Sequence, residues 1–146
     1  MIASSSVNAQ KKPKLKGLAK ELIGTWKSES MEVILFIAED KLTEDQKKEY
    51  QKVKVMMPIV SQIMKDMQTY TFNADGTYKT AGEGKNGLEE KFGKWKLDKN
   101  ILVTTLDNIS DSEDKREIFI KDKMLNIILK KEGEVMGGIQ KYVKLK

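Results

Sequence analysis

"TYTFNADGTYKT" occupies Thr69 to Thr80. On both sides of Asn73-Ala74-Asp75-Gly76, aromatic and small polar residues alternate. That period of two marks a strand with one face in a core. The residues between are turn formers: glycine takes positive φ at no steric cost, and Asn or Asp side chains bond the local backbone. The stretch predicts a β-hairpin, and the same grammar continues on its C-terminal side.

Ala81 to Gly87, "AGEGKNG", reads as a flexible loop. "LEEKFGKWKLD", Leu88 to Asp98, is a strand with Gly93, Trp95 and Leu97 on one face and Lys94 and Lys96 on the other. Phe92 lies off that parity, and a bulge at Gly93 would bring it inward. Lys99-Asn100 turns the chain into "ILVTTL", followed by a polar loop, "DNISDSED". The next two strands meet at a tight Lys121-Asp122-Lys123 turn, and their inward set is Ile118, Ile120, Leu125, Ile127 and Leu129. "EGEVMGG" is the last loop and "IQKYVKLK" the last strand.

Upstream, Leu42 to Gln68 changes period. Thr43 followed by Gln46 is a capping box, and Glu44 and Asp45 suit the positive end of a helix. Tyr50, Val53, Met56, Met57, Val60, Ile63, Met64 and Met67 recur at steps of three and four, an apolar helical stripe. Pro58 interrupts it, predicting a kink or two short helices. Before it, Leu22 to Ile37 reads as a strand whose apolar residues switch parity. A bulge between Ser28 and Met31 reconciles Trp26, Ile34 and Phe36 with Met31, Val33 and Leu35.

About eight short strands in succession, with one long connection, predict an eight-stranded up-and-down antiparallel β-barrel. Its kinked helical lid would lie between strands 1 and 2. The fold class is mainly β. A barrel of about eight strands holds side chains or one small ligand.

Gly24-Thr25-Trp26, at the start of the first strand of such a meander, resembles the Gly-x-Trp signature of the lipocalins and the wider calycin group. "TYTFNADGTYKT" and "FGKWKLDKNILVTTL" are similar to bacterial lipocalin-like domains of exported proteins, and the resemblance spans Leu22 to the C-terminus. It implies that Trp26 plugs the closed end of the barrel, with Gly24 admitting a close neighbour and an arginine near the chain end packing over the indole. Here the last strand offers only Lys141, Lys144 and Lys146. The helical connection resembles the two-helix lid of fatty-acid-binding proteins, another calycin branch, which reads a carboxylate with an arginine–tyrosine group. Tyr142 with Lys144 is a loose echo of that group.

The chain has 146 residues, 39% hydrophobic, which suits one domain with one core. It contains no cysteine and no histidine. Disulfides, thiolate chemistry, imidazole metal ligation and imidazole base catalysis are thereby excluded. Adjacent acids such as Glu89-Glu90 and Glu113-Asp114 point opposite ways on a strand and read as surface charge. No catalytic set, metal site or cofactor motif is legible, and the expectation is a protein that is not an enzyme. The net charge of +5 is concentrated at the termini. The basic residues are lysines except for Arg116, which argues against base reading in nucleic acid. Residues 10–20 read as a basic flexible tail, with weak attraction to an anionic membrane surface. Residues 1–9 read as the remnant of a signal peptide, with Val7 and Ala9 at the cleavage positions, and residues 21–146 as the barrel domain. The expected location is exported, periplasmic or extracellular, with no transmembrane segment.

The leading functional expectation is non-enzymatic binding or transport of a small hydrophobic or amphipathic ligand, lipid included, in the barrel. Its predicted contacts are Phe36, Met57, Met64, Tyr70, Phe72, Tyr78, Trp95 and Tyr142. Tyrosines inside a barrel need hydroxyl partners, so Tyr70, Tyr78 and Tyr142 are candidates to hold a polar head group. The alternative is an exported barrel with a filled interior, working through its outside as a protein-interaction or inhibitor module.

Overall fold

The computed structural model describes residues 17–84, 87–131 and 133–145. The predicted signal-peptide remnant and most of the basic tail lie outside these residues. A short helix, α1 (Leu18–Leu22), leads into strand β1 (Gly24–Leu35). After a 3-10 turn (Glu39–Lys41) comes helix α2 (Glu44–Met64). Seven strands follow: β2 (Gln68–Phe72), β3 (Thr77–Gly84), β4 (Gly87–Asp98), β5 (Ile101–Leu106), β6 (Asp114–Lys121), β7 (Met124–Leu129) and β8 (Met136–Lys144). Each strand pairs antiparallel with the next, and β8 pairs back onto β1, so the sheet closes into the predicted barrel.

The turns follow their chemistry. Gly76 has φ 90°, and the Asp75 carboxylate accepts from the Thr77 amide at 2.9 Å. Asp122 and Lys123 both have positive φ, as a two-residue hairpin turn requires. Several boundaries move. Ala81 to Gly84, read as loop, extend β3, and Met136 to Gly138 extend β8. Leu18 to Lys20, read as tail, belong to α1, because Leu22 is fully buried and Leu18 and Ala19 pack on the core beside it. Gly93 carries no bulge: β4 runs in register through it, and Phe92 faces outward, exposed. A Cβ on Gly93 would meet the Thr105 carbonyl, so the glycine serves the close approach of β5.

The parity switch in β1 is a bulge between Ser28 and Ser30. It does more than re-aim side chains. The β1–β2 ladder covers only Gly24 to Lys27, whereas β8 pairs with β1 as far as Leu35. The remaining β1 edge would present unpaired backbone groups. Helix α2 runs back along it. The Ser61 hydroxyl accepts from the Met31 amide at 2.9 Å and donates to the Met31 carbonyl at 3.0 Å, serving both groups of one edge residue. At the other end Ser28 of β1 reaches outward, its hydroxyl donating to the Met64 carbonyl at 2.6 Å and accepting from the Gln68 amide at 3.1 Å. Lys27 and Asp66 close the junction at 2.7 Å.

The capping box is formed as read: Thr43 accepts from the Gln46 amide at 3.1 Å, and the Gln46 side chain accepts from the Thr43 amide at 2.9 Å. The helix is single and continuous through Pro58, not two helices. Pro58 is exposed, so the carbonyl it leaves without an amide can be served by water. The apolar stripe is divided. Tyr50, Val53, Met57, Val60 and Met64 are half-buried, while Met56, Ile63 and Met67 are exposed, as are Val55 and Ile59 outside the stripe.

Candidate functional site

One end of the barrel is closed. Trp26 is almost fully buried, and its indole N–H donates to the Leu22 carbonyl at 2.8 Å. The role that the resemblance gives to an arginine falls to Lys144. Its Nζ lies 5.3 Å from the Trp26 ring centroid and donates to the Glu21 carbonyl at 3.0 Å. Gly24 has φ 134°, and a Cβ there would lie 2.6 Å from Lys144 Cε. The glycine two residues before the tryptophan therefore admits the lysine that covers it.

Above the plug lies a ladder of aromatic rings. Phe72 meets Trp95 edge-on at 5.6 Å and Tyr78 at 5.4 Å; Tyr70 stacks on Tyr78 at 5.9 Å and tilts against Tyr142 at 5.0 Å. Burial pushes the phenols of Tyr70, Tyr78 and Tyr142 up, because the phenolate would lose its hydration; neighbouring Tyr70 adds to the rise at Tyr78 and Tyr142. All three are neutral hydrogen-bonding groups around neutral pH.

Between this ladder and the open end is a cavity of about 270 Å³. Its apolar surface comes from Phe72, Leu102, Ile127 and Leu129, and its polar surface from Gln68, Tyr70, Tyr78, Thr104, Asp114, Arg116 and Gln140. Asp114 and Arg116 stand at successive inward positions of β6, with the Arg116 Nε donating to Asp114 Oδ2 at 3.0 Å. The Tyr142 hydroxyl lies 3.2 Å from the side-chain oxygens of both Gln68 and Gln140. A wider groove of about 660 Å³ shares Asp114, Arg116 and Leu129 with the cavity and opens it past Lys130 and Met136. Among the described residues there is no cluster of three or more acids able to hold a metal ion.

Of the sequence-predicted contacts, Tyr70, Phe72 and Tyr78 line the cavity. Tyr142 stands behind it as the partner of Gln68 and Gln140. Trp95 lies deeper, its N–H donating to the Asn73 carbonyl at 2.9 Å. Three predicted contacts lie elsewhere. Phe36 packs on Gly137 under Lys130, whose Nζ is 4.8 Å from its ring centroid. Met57 lies on the half-buried face of α2, which packs along β1, and Met64 lines a neighbouring recess that shares Gln68 and Gln140 with the cavity. No residue of α2 lines this cavity; the helix braces the β1 edge, and its end reaches the neighbouring recess through Met64.

Sequence reasoning missed the polar half of the site. Arg116 and Asp114 share the parity of Ile118 and Ile120, Gln68 that of Tyr70, Gln140 that of Tyr142, and Thr104 that of Leu102. Asp114, read as surface charge, lines the barrel mouth. Carrying each inward parity through the whole strand, polar positions included, would have found them.

No protein-family model and no curated protein matches this chain. Among solved structures it is similar to a lipocalin-like protein from Bacteroides uniformis ATCC 8492, at 14% identity and TM-score 0.50, over 86% of this chain and 99% of that one. It is also similar to an uncharacterized protein from Bacteroides eggerthii DSM 20697, at 16% identity and TM-score 0.48, over 85% and 99% of the two chains. At such identity the first likeness speaks of fold alone. Eight antiparallel strands in a ring, a Gly-x-Trp plug and a helix after the first strand give this chain a lipocalin-like fold.

Proposed function

We propose that this chain binds and carries a small amphipathic molecule in the mouth of the barrel. The observation that carries this reading is the division of the cavity. Phe72, Leu102, Ile127 and Leu129 offer apolar contact, while Gln68, Thr104, Arg116 and Gln140 offer hydrogen bonds. A few convergent polar groups over an apolar lining are what small-molecule sites share. The volume, about 270 Å³, sits just under the usual range of about 300–1,000 Å³ and favours a ring-sized ligand over a long chain. Export remains part of the proposal, supported by Val7 and Ala9 in the N-terminal segment.

Native mass spectrometry of protein from its own host tests the reading. A non-covalent adduct is expected on the wild type and not on Thr104→Trp, which fills the cavity. The same replacement is expected to weaken any small ligand by at least about tenfold. Adduct-free wild type, with cavity amide resonances unmoved by a panel of small aromatic compounds, would overturn it.

A second reading, a barrel that works through its outside, is favoured by the outer face of α2. Val55, Met56, Ile59 and Ile63 are each more than half exposed and lie on one helical face. Its occupant on this reading is a second copy of the same face. Sedimentation is then expected to show a dimer that Ile59→Lys disperses. A monomer at every concentration removes this reading.

A further inference from the structure

We infer that the polar end of the ligand carries no net charge and both donates and accepts hydrogen bonds, as an amide or hydroxylated ring does. This rests on the cavity reading above. Among the described residues of the cavity wall Asp114 is the one acid and Arg116 the one base. They are neighbours on the inward face of β6, bonded Nε to Oδ2 at 3.0 Å. Both side chains are about half exposed, so the pair adds little to the stability of the strand. What the pair does is present donors and acceptors side by side. A guanidinium has five N–H donors, of which the Nε–H serves Asp114, and a carboxylate has acceptor capacity beyond one bond.

The opposite wall repeats the pattern without charge. The Tyr142 hydroxyl is 3.2 Å from the amide oxygens of Gln68 and Gln140. The Tyr70 hydroxyl also bonds Tyr142 and Gln68, so this wall is a network of neutral groups, and those of its members that line the cavity, Gln68, Tyr70 and Gln140, can each both donate and accept. A ligand carboxylate in this space would gain Arg116 but stand against Asp114, and like charges at such range disfavour ionisation. An amine would meet the converse problem at Arg116. A neutral donor–acceptor group meets neither. The aromatic walls of Tyr70, Phe72 and Tyr78 suit a flat body behind that group.

The test compares three probes of one shape: phenylacetamide, phenylacetate and phenethylamine. Each is titrated calorimetrically into wild type, Asp114→Asn and Arg116→Gln, with amide resonances of Thr104 and Gln140 followed by NMR. Wild type is expected to bind phenylacetamide at least about tenfold more tightly than either charged probe. Asp114→Asn is expected to move the preference to phenylacetate, and Arg116→Gln to phenethylamine, each by about tenfold. Equal affinities, a wild-type preference for a charged probe, or an order unmoved by either replacement would overturn the inference and leave the cavity reading standing. If no probe moves the Thr104 or Gln140 resonances in any of the three proteins, the cavity reading falls and this inference with it.

Discussion

Trp26→Ala is expected to lower the unfolding free energy by about 3–5 kcal/mol, the cost of truncating a large buried aromatic. The indole is nearly free of solvent, its N–H is bonded to the Leu22 carbonyl, and the Lys144 ammonium lies over its ring. Truncation therefore leaves a void, an unserved carbonyl at the end of α1 and a lysine without its aromatic partner. The barrel wall cannot collapse into the gap, because β1 is held at this height by β2 on one side and β8 on the other. Urea titration followed by the fluorescence of Trp95 measures the loss. A change under about 1 kcal/mol would mean that the plug contributes no more than a surface residue.

Alkaline pH is expected to unfold the barrel steeply. Tyr70, Tyr78 and Tyr142 have folded-state pKa values raised above the unfolded value, chiefly by burial. The folded state keeps protons that the unfolded chain releases. Their contribution is thus complete below the ordinary tyrosine pKa of about 10 and is lost as pH rises beyond it. Each phenol sets a limiting slope of about 1.4 kcal/mol per pH unit, and three together approach about 4. That would consume the total stability of an ordinary domain, about 5–15 kcal/mol, within a few pH units. Surface ion pairs such as Lys27–Asp66 also weaken there, but exposed pairs of this kind contribute little. Urea titrations between about pH 9 and about pH 11 give the slope, and phenolate absorbance shows whether ionisation accompanies unfolding. Tyr78→Phe removes one titrating group and is expected to reduce the slope by about 1.4 kcal/mol per pH unit. Stability that does not fall above about pH 10, or ionisation of Tyr70, Tyr78 and Tyr142 in the folded barrel, followed in a Tyr50→Phe background, would contradict this account.

Local chemistry was legible along the chain wherever it acts over a few residues. The Asn73–Gly76 turn, the Lys121-Asp122-Lys123 turn and the Thr43–Gln46 capping box formed as read, since each depends only on near neighbours. The bulge in β1 was legible because an apolar set cannot change parity without one. Counting strands and turns was enough for the barrel, as antiparallel neighbours joined by short turns leave few ways to close a sheet.

Helix α2 was legible as a helix but not in its role. Its periodicity says which side is apolar, not which strand edge lacks a partner. Only the short β1–β2 ladder reveals that Ser28 to Met31 need the hydroxyl of Ser61 and the chain around Met64. Which of Lys141, Lys144 and Lys146 covers Trp26 was unreadable for the same reason: nothing local indicates that residue 144 crosses residue 24. The polar mouth was hidden by the signal used to find the interior. Hydrophobic alternation identifies inward positions only while they are apolar, and it stops where the barrel opens to water. Asp114, Arg116, Gln68 and Gln140 lie beyond that point on three different strands. The sequence by itself thus determined the barrel and the inward aromatic residues, because burial writes a period-two pattern, while the plug at Trp26 was implied by the Gly-x-Trp resemblance. Closure of the sheet alone brought the acid, the base and the two amides to one rim.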